Sequence, residues 1–306
     1  MSLRASRSNL TKYKKEITWL LKEKYHYSEV VILDFFQDLY FSNSTLKKEM
    51  DHHASLAMTS LQGVKRRSHL ISQQIDINMD IERILNGEPV DYVIGFKDFL
   101  NCKIDLSLKP LIPRPETEFW VESVINNSSL KFKNSKILDL CCGSGCIGIA
   151  LLKNLPNSSV TFVDISGDVL KQTEINCQLN LFSCHPELVS GSKIQILKSD
   201  LFSNLKGQKF DYIFTNPPYV KQKDIKDSLL FEPELALNGY GNDGLNIIYK
   251  ILEEFPKFLN PSGMLFLEFG FGQKLKIEKK ILDLGFKNFE FKKDQYGKYR
   301  VLIISI

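Results

Sequence analysis

The chain has 306 residues, 43% hydrophobic and 25% charged, a balance that can bury a sizeable core and that excludes disordered, collagen-like and small disulfide-stapled proteins. Forty basic and 36 acidic residues leave a net charge of +4. That charge is spread evenly on either side of residue 90, without the concentrated basic patch of a nucleic-acid-binding surface. The length suits two domains, or one domain with an appendage.

The first ninety residues read as helix. ITWLLKEKY places Ile17, Leu20 and Leu21 on one face, at i, i+3 and i+4. SEVVILDFFQDLYF opens at Ser28, a fitting N-cap. MDHHASLAMTSLQGV and DINMDIERILNG continue the pattern, the latter closed by Gly87 with Pro89 beyond it. His52 and His53 are adjacent and so point to different helix faces, which argues against a shared metal ion. Residues 90–111 are β-prone and broken by Gly95, Asp98 and Asn101, which predicts a hairpin or short strands as a connector. LIPRPETEF then leads into a helix from Glu116 to Asn126, with Pro115 in its first turn.

From Lys136 onward strands and helices alternate. KILDL, SVTFVDI, KIQILKSD, FDYIFTN and GMLFLEFG are five strands. Helical patterns follow the first, second, fourth and fifth of them. KNFEFKKD and YRVLIISI close the chain as a β pair around Gln295 to Gly297. Alternation of this kind predicts an α/β fold with a mainly parallel sheet covered on both faces, the closing hairpin adding an antiparallel strand. The expected division is a helical domain at 1–88, a hairpin connector at 89–115 and an α/β domain at 116–306.

Six cysteines, at 102, 141, 142, 146, 177 and 184, form neither a paired CxxC nor a cluster with histidine. No metal site is expected, and free thiols in a reducing, cytoplasmic compartment are. No run of about 18 apolar residues is present, so no membrane span is expected.

Two loops carry chemistry. Asp139 to Gly145, DLCCGSG, follows a strand and opens a helix. Its glycines allow a tight turn and close approach to a ligand, in the crevice where open α/β sheets bind nucleotides. It is neither GxGxxG nor a P-loop. Asp164 ends the next strand, where an acid reaches ribose hydroxyls; turn and acid together fit a dinucleotide or S-adenosyl-L-methionine (AdoMet). The second loop, Asn216-Pro217-Pro218-Tyr219, follows the strand FDYIFT. Its prolines fix φ and donate no hydrogen bonds, so carbonyls face outward from a rigid turn. The Asn216 oxygen and a proline carbonyl can accept both hydrogens of a planar NH2 group, and Tyr219 can stack on it. This suits methylation of a conjugated, weakly nucleophilic nitrogen.

On these residues the chain resembles the peptide chain release factor N5-glutamine methyltransferases, the HemK family. The resemblance runs from Glu88 to the C-terminus through EPVDYVIG, LIPRPETE, ILDLCCGSGCIGIAL, FTNPPYV, FEPELAL with NDGL, LEFGFGQ and DQYGKYRV. It implies a Rossmann-like class I methyltransferase fold, AdoMet as methyl donor with S-adenosyl-L-homocysteine as product, and release factors as partners. It implies cofactor contacts from Cys141, Cys142, Gly143, Ser144 and Gly145, ribose binding by Asp164, and packing of Leu201 near the adenine. Asn216 would meet cofactor and substrate, with Pro217, Pro218 and Tyr219 completing the glutamine amide site. Phe99 and Arg114 to Thr117 would line the cofactor pocket. The chain departs from the family in CCGSG, where a glycine and a threonine are more usual in the first two places. It departs again in FSCHPELVSGS, a turn-rich insertion expected to be a solvated loop. The N-terminal helices are expected to dock the release factor, with no direct nucleic-acid binding. The alternatives are a ribosomal-protein glutamine methyltransferase and an adenine or guanine N-methyltransferase of nucleic acid; the near-neutral N-terminal region argues against the latter.

Overall fold

The computed structural model describes residues 12–28, 32, 76–127, 130, 132, 134–155, 157–182 and 194–306. The chain separates into two compact units, the division falling between Ile94 and Gly95. His52, His53, the predicted helices between residues 29 and 75 (Ile32 aside) and the 184–192 insertion lie outside the described residues.

In the first unit, α1 (Lys14–Glu23) buries Ile17, Leu20 and Leu21, the face its periodicity marks. A second helix, α2 (76–85), buries Ile77, Ile81 and Ile84. Its Asp80 accepts hydrogen bonds from Lys24 Nζ and Tyr25 Oη, each at 2.7 Å. Gly87, at φ 91°, ends the helix, as its left-handed backbone requires. Residues 90–94 differ from the β-prone reading: they form a short helix, α3 (Val90–Ile94). The amides of Tyr92 and Val93 both bond the Pro89 carbonyl, so the proline two residues past Gly87 starts the next helix.

The second unit opens with a hairpin, β1 (Phe96–Phe99) and β2 (Cys102–Asp105). Leu100 and Asn101 both have positive φ, the backbone of a two-residue type I′ turn. The outer edge of β2 pairs with side chains rather than a strand. Asn180 bonds both the N–H and C=O of Lys103, Asn176 those of Asp105, and Gln172 Oε1 accepts from Leu108 N. Helix α4 (Pro115–Ile125) follows, with Pro115 itself in the first helical position.

The remaining strands make one sheet. They are β3 (Lys136–Leu140), β4 (Ser159–Asp164), β5 (Ile194–Lys198), β6 (Phe210–Thr215), β7 (Leu259–Glu268), β8 (Phe289–Lys293) and β9 (Tyr299–Ser305). Their order is β5-β4-β3-β6-β7-β9-β8, the first five parallel and β9 antiparallel to both its neighbours. The order reverses between β3 and β6, so the chain leaves these adjacent strands in opposite directions and a crevice opens at their C-terminal ends. On one face α8 (Asn246–Glu254) and α9 (Lys274–Asp283) bury Ile248, Ile251, Leu252, Ile277 and Ile281 against Leu138, Ile213, Leu265 and Leu302. On the other lie α4, α5 (Cys146–Asn154) and α6 (Gly167–Cys177). There Trp120 of α4 stacks on Phe214, and Phe214 on Phe266, with ring centroids 6.1 and 4.7 Å apart. That stack fixes the start of α4 over the ends of β6 and β7. The stretch between β6 and α8, unassigned by periodicity, forms short 3₁₀ turns and a four-residue helix, α7 (Glu234–Leu237).

Candidate active site

The glycine-rich turn is held by its near neighbours. Cys141, Gly143 and Gly145 take positive φ of 57°, 56° and 78°. Gly145 is also hemmed in, since a Cβ there would meet Thr173 Cγ2 at 2.8 Å. Thr173 Oγ1 donates to the Gly143 carbonyl at 2.9 Å and Asn176 Nδ2 to that of Ser144 at 2.9 Å. Asp139, at the end of β3, accepts the Gly148 amide on Oδ2 at 2.8 Å and so caps the start of α5. Its other oxygen is buried with no hydrogen-bond partner among the described residues. Burial, with Asp164 nearby, pushes its carboxyl up to about 8, against the pull of the Gly148 amide.

Asp164 ends β4 beside this turn. Oδ2 accepts from Gly143 N at 3.1 Å and Oδ1 from Ser166 N at 3.0 Å. Burial raises its pKa, and these two amides oppose the rise. A carboxylate oxygen accepts more than one hydrogen bond, so each keeps capacity for a ligand hydroxyl.

The second loop leaves β6, where Thr215 pairs with Leu267 in parallel register. Asn216 therefore starts beside Glu268, the last residue of β7. Glu268 is 0% exposed. Its Oε2 accepts from Thr117 Oγ1 and Trp120 Nε1, both at 2.7 Å, and its Oε1 from Tyr219 Oη at 3.0 Å. Asn216 Nδ2 bonds Thr117 Oγ1 at 3.1 Å. Burial raises the Glu268 pKa, against its three donors and the Arg300 charge. Burial likewise drives the Tyr219 phenol well above its usual range, with the Glu268 charge adding to it. The far side of the loop is closed by backbone. Gln273 Nε2 donates to the Tyr219 and Asp243 carbonyls at 3.0 and 2.9 Å. Gly244, at φ 74°, has its Cα against the Tyr219 carbonyl, which a Cβ would meet at 2.4 Å.

Between the two loops lies a cavity of about 590 Å³, within the roughly 300–1,000 Å³ of small-molecule sites. Cys141, Gly143, Asp164, Leu201, Asn216 and Pro218 line it. Cys142, Ser144 and Gly145 turn into the protein instead: Cys142 Sγ lies 3.6 Å from Thr173 Oγ1, and Ser144 is buried. Pro217 and Tyr219 are not lining residues, the Tyr219 hydroxyl being committed to Glu268. Phe99 is buried in the hairpin away from the lining, and Arg114 to Thr117 support the site from behind. Arg114 pairs with buried Glu232 at 2.5 Å, and Ile112 N bonds the same carboxylate at 3.0 Å, which ties LIPRPETE to FEPELAL. Sequence reading gave no role to Glu268, Trp120, Gln273, or the lining residues Asp200, Tyr240 and Lys250. Glu268 had a signal, a lone carboxylate at the end of the apolar run MLFLEFG. Among the described residues no His, Cys, Asp and Glu group is placed to hold a metal ion. No helix among them is long and apolar enough to cross a membrane.

The model of the methyltransferase small domain matches residues 117–242. A release factor glutamine methyltransferase of Thermodesulfovibrio yellowstonii is 40% identical over 233 residues, 74% of this chain and 79% of that protein. The chain belongs to the release factor glutamine methyltransferase family. A second member, from Borreliella burgdorferi, is 32% identical over 93% of this chain and 94% of its own length. A methyltransferase of Pyrococcus furiosus shares the fold, with a TM-score of 0.50 and 19% identity over 73% of this chain and 96% of that one. This family member is an AdoMet-dependent methyltransferase. Its cavity fits that cofactor: Asp164 offers acceptors for ribose hydroxyls, the Gly143 turn leaves room for close approach, and Val163, Ile165, Val169 and Leu201 supply an apolar wall.

Proposed function

We propose that the protein methylates the side-chain amide nitrogen (N5) of a glutamine in peptide chain release factors. The observation that carries this reading is the Asn216 to Tyr219 loop, rigid and placed at the cavity where the strand order reverses. When bound, AdoMet supplies an electrophilic methyl group and is released as S-adenosyl-L-homocysteine. The turn Cys141 to Gly145, with Asp164 and Leu201, holds the cofactor. Asn216 Oδ1 and a backbone carbonyl of the Pro217-Pro218 pair accept the two amide N–H groups of the target. An N–H left buried without a partner costs roughly 1–3 kcal/mol, so these acceptors decide whether the amide can leave water. They also hold the amide plane and draw density from its N–H bonds, so the gain is orientation and electrostatics. Pro218 walls the site, and Tyr219, clamped through Glu268, holds the loop in register.

The names of the relatives favour a release factor over a ribosomal protein or a nucleobase as substrate. We place the N-terminal helices as the release-factor docking element, acting in the cytoplasm without direct nucleic-acid contact. The test is incubation with labelled AdoMet and purified release factors, ribosomal proteins and nucleic acid, followed by mass spectrometry. Methyl on a release-factor glutamine is expected; label confined to a ribosomal protein or RNA overturns the assignment.

A further inference from the structure

The hydrogen bonds behind Asn216 have a direction, and the direction bears on specificity. An asparagine amide can face a cavity with its oxygen or its NH2, and the two ends are nearly the same size. Only the oxygen accepts from a substrate N–H. Something must therefore set which end points inward, or half of the encounters meet the wrong group.

The chain of partners settles it. The indole N–H of Trp120 can only donate, and it donates to Glu268 Oε2 at 2.7 Å. The same oxygen takes Thr117 Oγ1 at 2.7 Å. Thr117 has one hydroxyl proton, and the carboxylate oxygen takes it. What Thr117 then turns toward Asn216, 3.1 Å away, is a lone pair. A lone pair requires the NH2 end of Asn216 on that side. Thr117 is outside the cavity lining and Asn216 within it, so Oδ1 is the end left for the substrate. Thr117 and Trp120 are one helical turn apart on α4, and the Trp120–Phe214–Phe266 stack holds that face against the sheet.

We propose that Glu268 is a positioning residue which, through Thr117, fixes the polarity of the Asn216 amide so that its oxygen meets the substrate nitrogen. The inference rests on the amide-methylation reading given above and deepens it. It makes the site selective for an NH2-bearing side chain, because a carboxylate arriving in the same place would meet an oxygen that has no alternative orientation.

The test uses the full-length protein, a purified release factor and radiolabelled AdoMet, and compares Thr117→Val with Thr117→Ser. Valine keeps the shape and removes the hydroxyl; serine restores it. Thr117→Val should lower kcat by about 10- to 100-fold, the scale for an oriented polar group at a reacting centre, with little change in KM. Thr117→Ser should regain most of that loss. A Thr117→Val enzyme with wild-type kcat overturns the relay. So does a Thr117→Ser enzyme as slow as the valine variant, since the methyl and not the hydroxyl would then matter. A melting cycle with Thr117→Val, Asn216→Ala and the double variant reads the coupling without any substrate. Non-additive shifts support the link and additive ones remove it. Should the wild type leave the release factor unmethylated, the substrate reading falls and the relay is judged on that cycle.

Discussion

The two loops that face each other across the cavity are held in opposite ways. The glycine-rich turn is fastened by groups close in sequence: Asp139 to Gly148, Gly143 to Asp164, Thr173 to Gly143 and Asn176 to Ser144, separations of 9 to 32 residues. The Asn216 loop is fastened by Thr117, Glu268 and Gln273, through contacts spanning 49 to 151 residues. The first is built within two consecutive βα units, so its geometry survives wherever those units form. The second exists only once α4, β6 and β7 have assembled. Binding of the cofactor and positioning of the target are thus separable properties, and they should fail separately.

The sharpest break is Asn216→Ala. It removes the acceptor for the target N–H and should slow methyl transfer by about 10²-fold or more, measured in single turnovers at saturating AdoMet. Asp164→Ala should do the converse. It should weaken AdoMet binding by about 1.5–3 kcal/mol, the range for hydrogen bonds to a charged group, read by calorimetry. The supporting shell is tested by Gly244→Ala, which forces a Cβ against the Tyr219 carbonyl at a left-handed position. It should cost about 1–3 kcal/mol of stability in urea titrations and slow transfer more than it weakens AdoMet binding. A separate effect, visible only against pH, concerns Asp139. Its carboxyl titrates near 8 in the folded chain and near 4 unfolded. The folded state therefore keeps a proton that the unfolded state has lost between those values. The stability that this protonated carboxyl contributes should fall as pH rises from about 4 through 8, and be absent above. Asp139→Asn keeps an acceptor for Gly148 and should flatten that decline, read as a smaller fall in Tm between pH 5 and pH 8.5 than the wild type shows.

The same contrast explains what could be read in advance. Strand and helix alternation, Asp164 after its strand and the DLCCGSG turn are written in short windows, because local periodicity and backbone conformation impose them. The closing β pair around Gly297 is legible for the same reason. Thr117 appeared within LIPRPETE, yet its partnership with Asn216 is 99 residues away and has no local signature. Glu268 shows itself as a carboxylate ending an apolar run, but its partners Thr117, Trp120 and Tyr219 lie 49 to 151 residues away and have no local signature. Residues 90–94 went the other way: Tyr92, Val93 and Ile94 favour strands by type, but the Pro89 carbonyl captures the Tyr92 and Val93 amides into a helical turn. Which residues of the glycine-rich turn face the cavity was also hidden, since spacing cannot show that Cys142 points at Thr173 and Cys141 does not.

The side-chain amides along α6 and the π-helical turn that continues it (Gln178–Phe182) have a consequence for behaviour at high concentration. A two-stranded hairpin offers an open strand edge, the surface through which β-proteins stick to one another. Here Gln172, Asn176 and Asn180, spaced one helical turn apart, present a donor and an acceptor each, in the manner of a peptide group. The helix thereby occupies the place of a third strand without being one, and the edge of β2 is closed to a strand from another molecule. Resistance to strand addition is in this way built into three uncharged side chains, one of which, Asn176, also holds the Ser144 carbonyl of the glycine-rich turn.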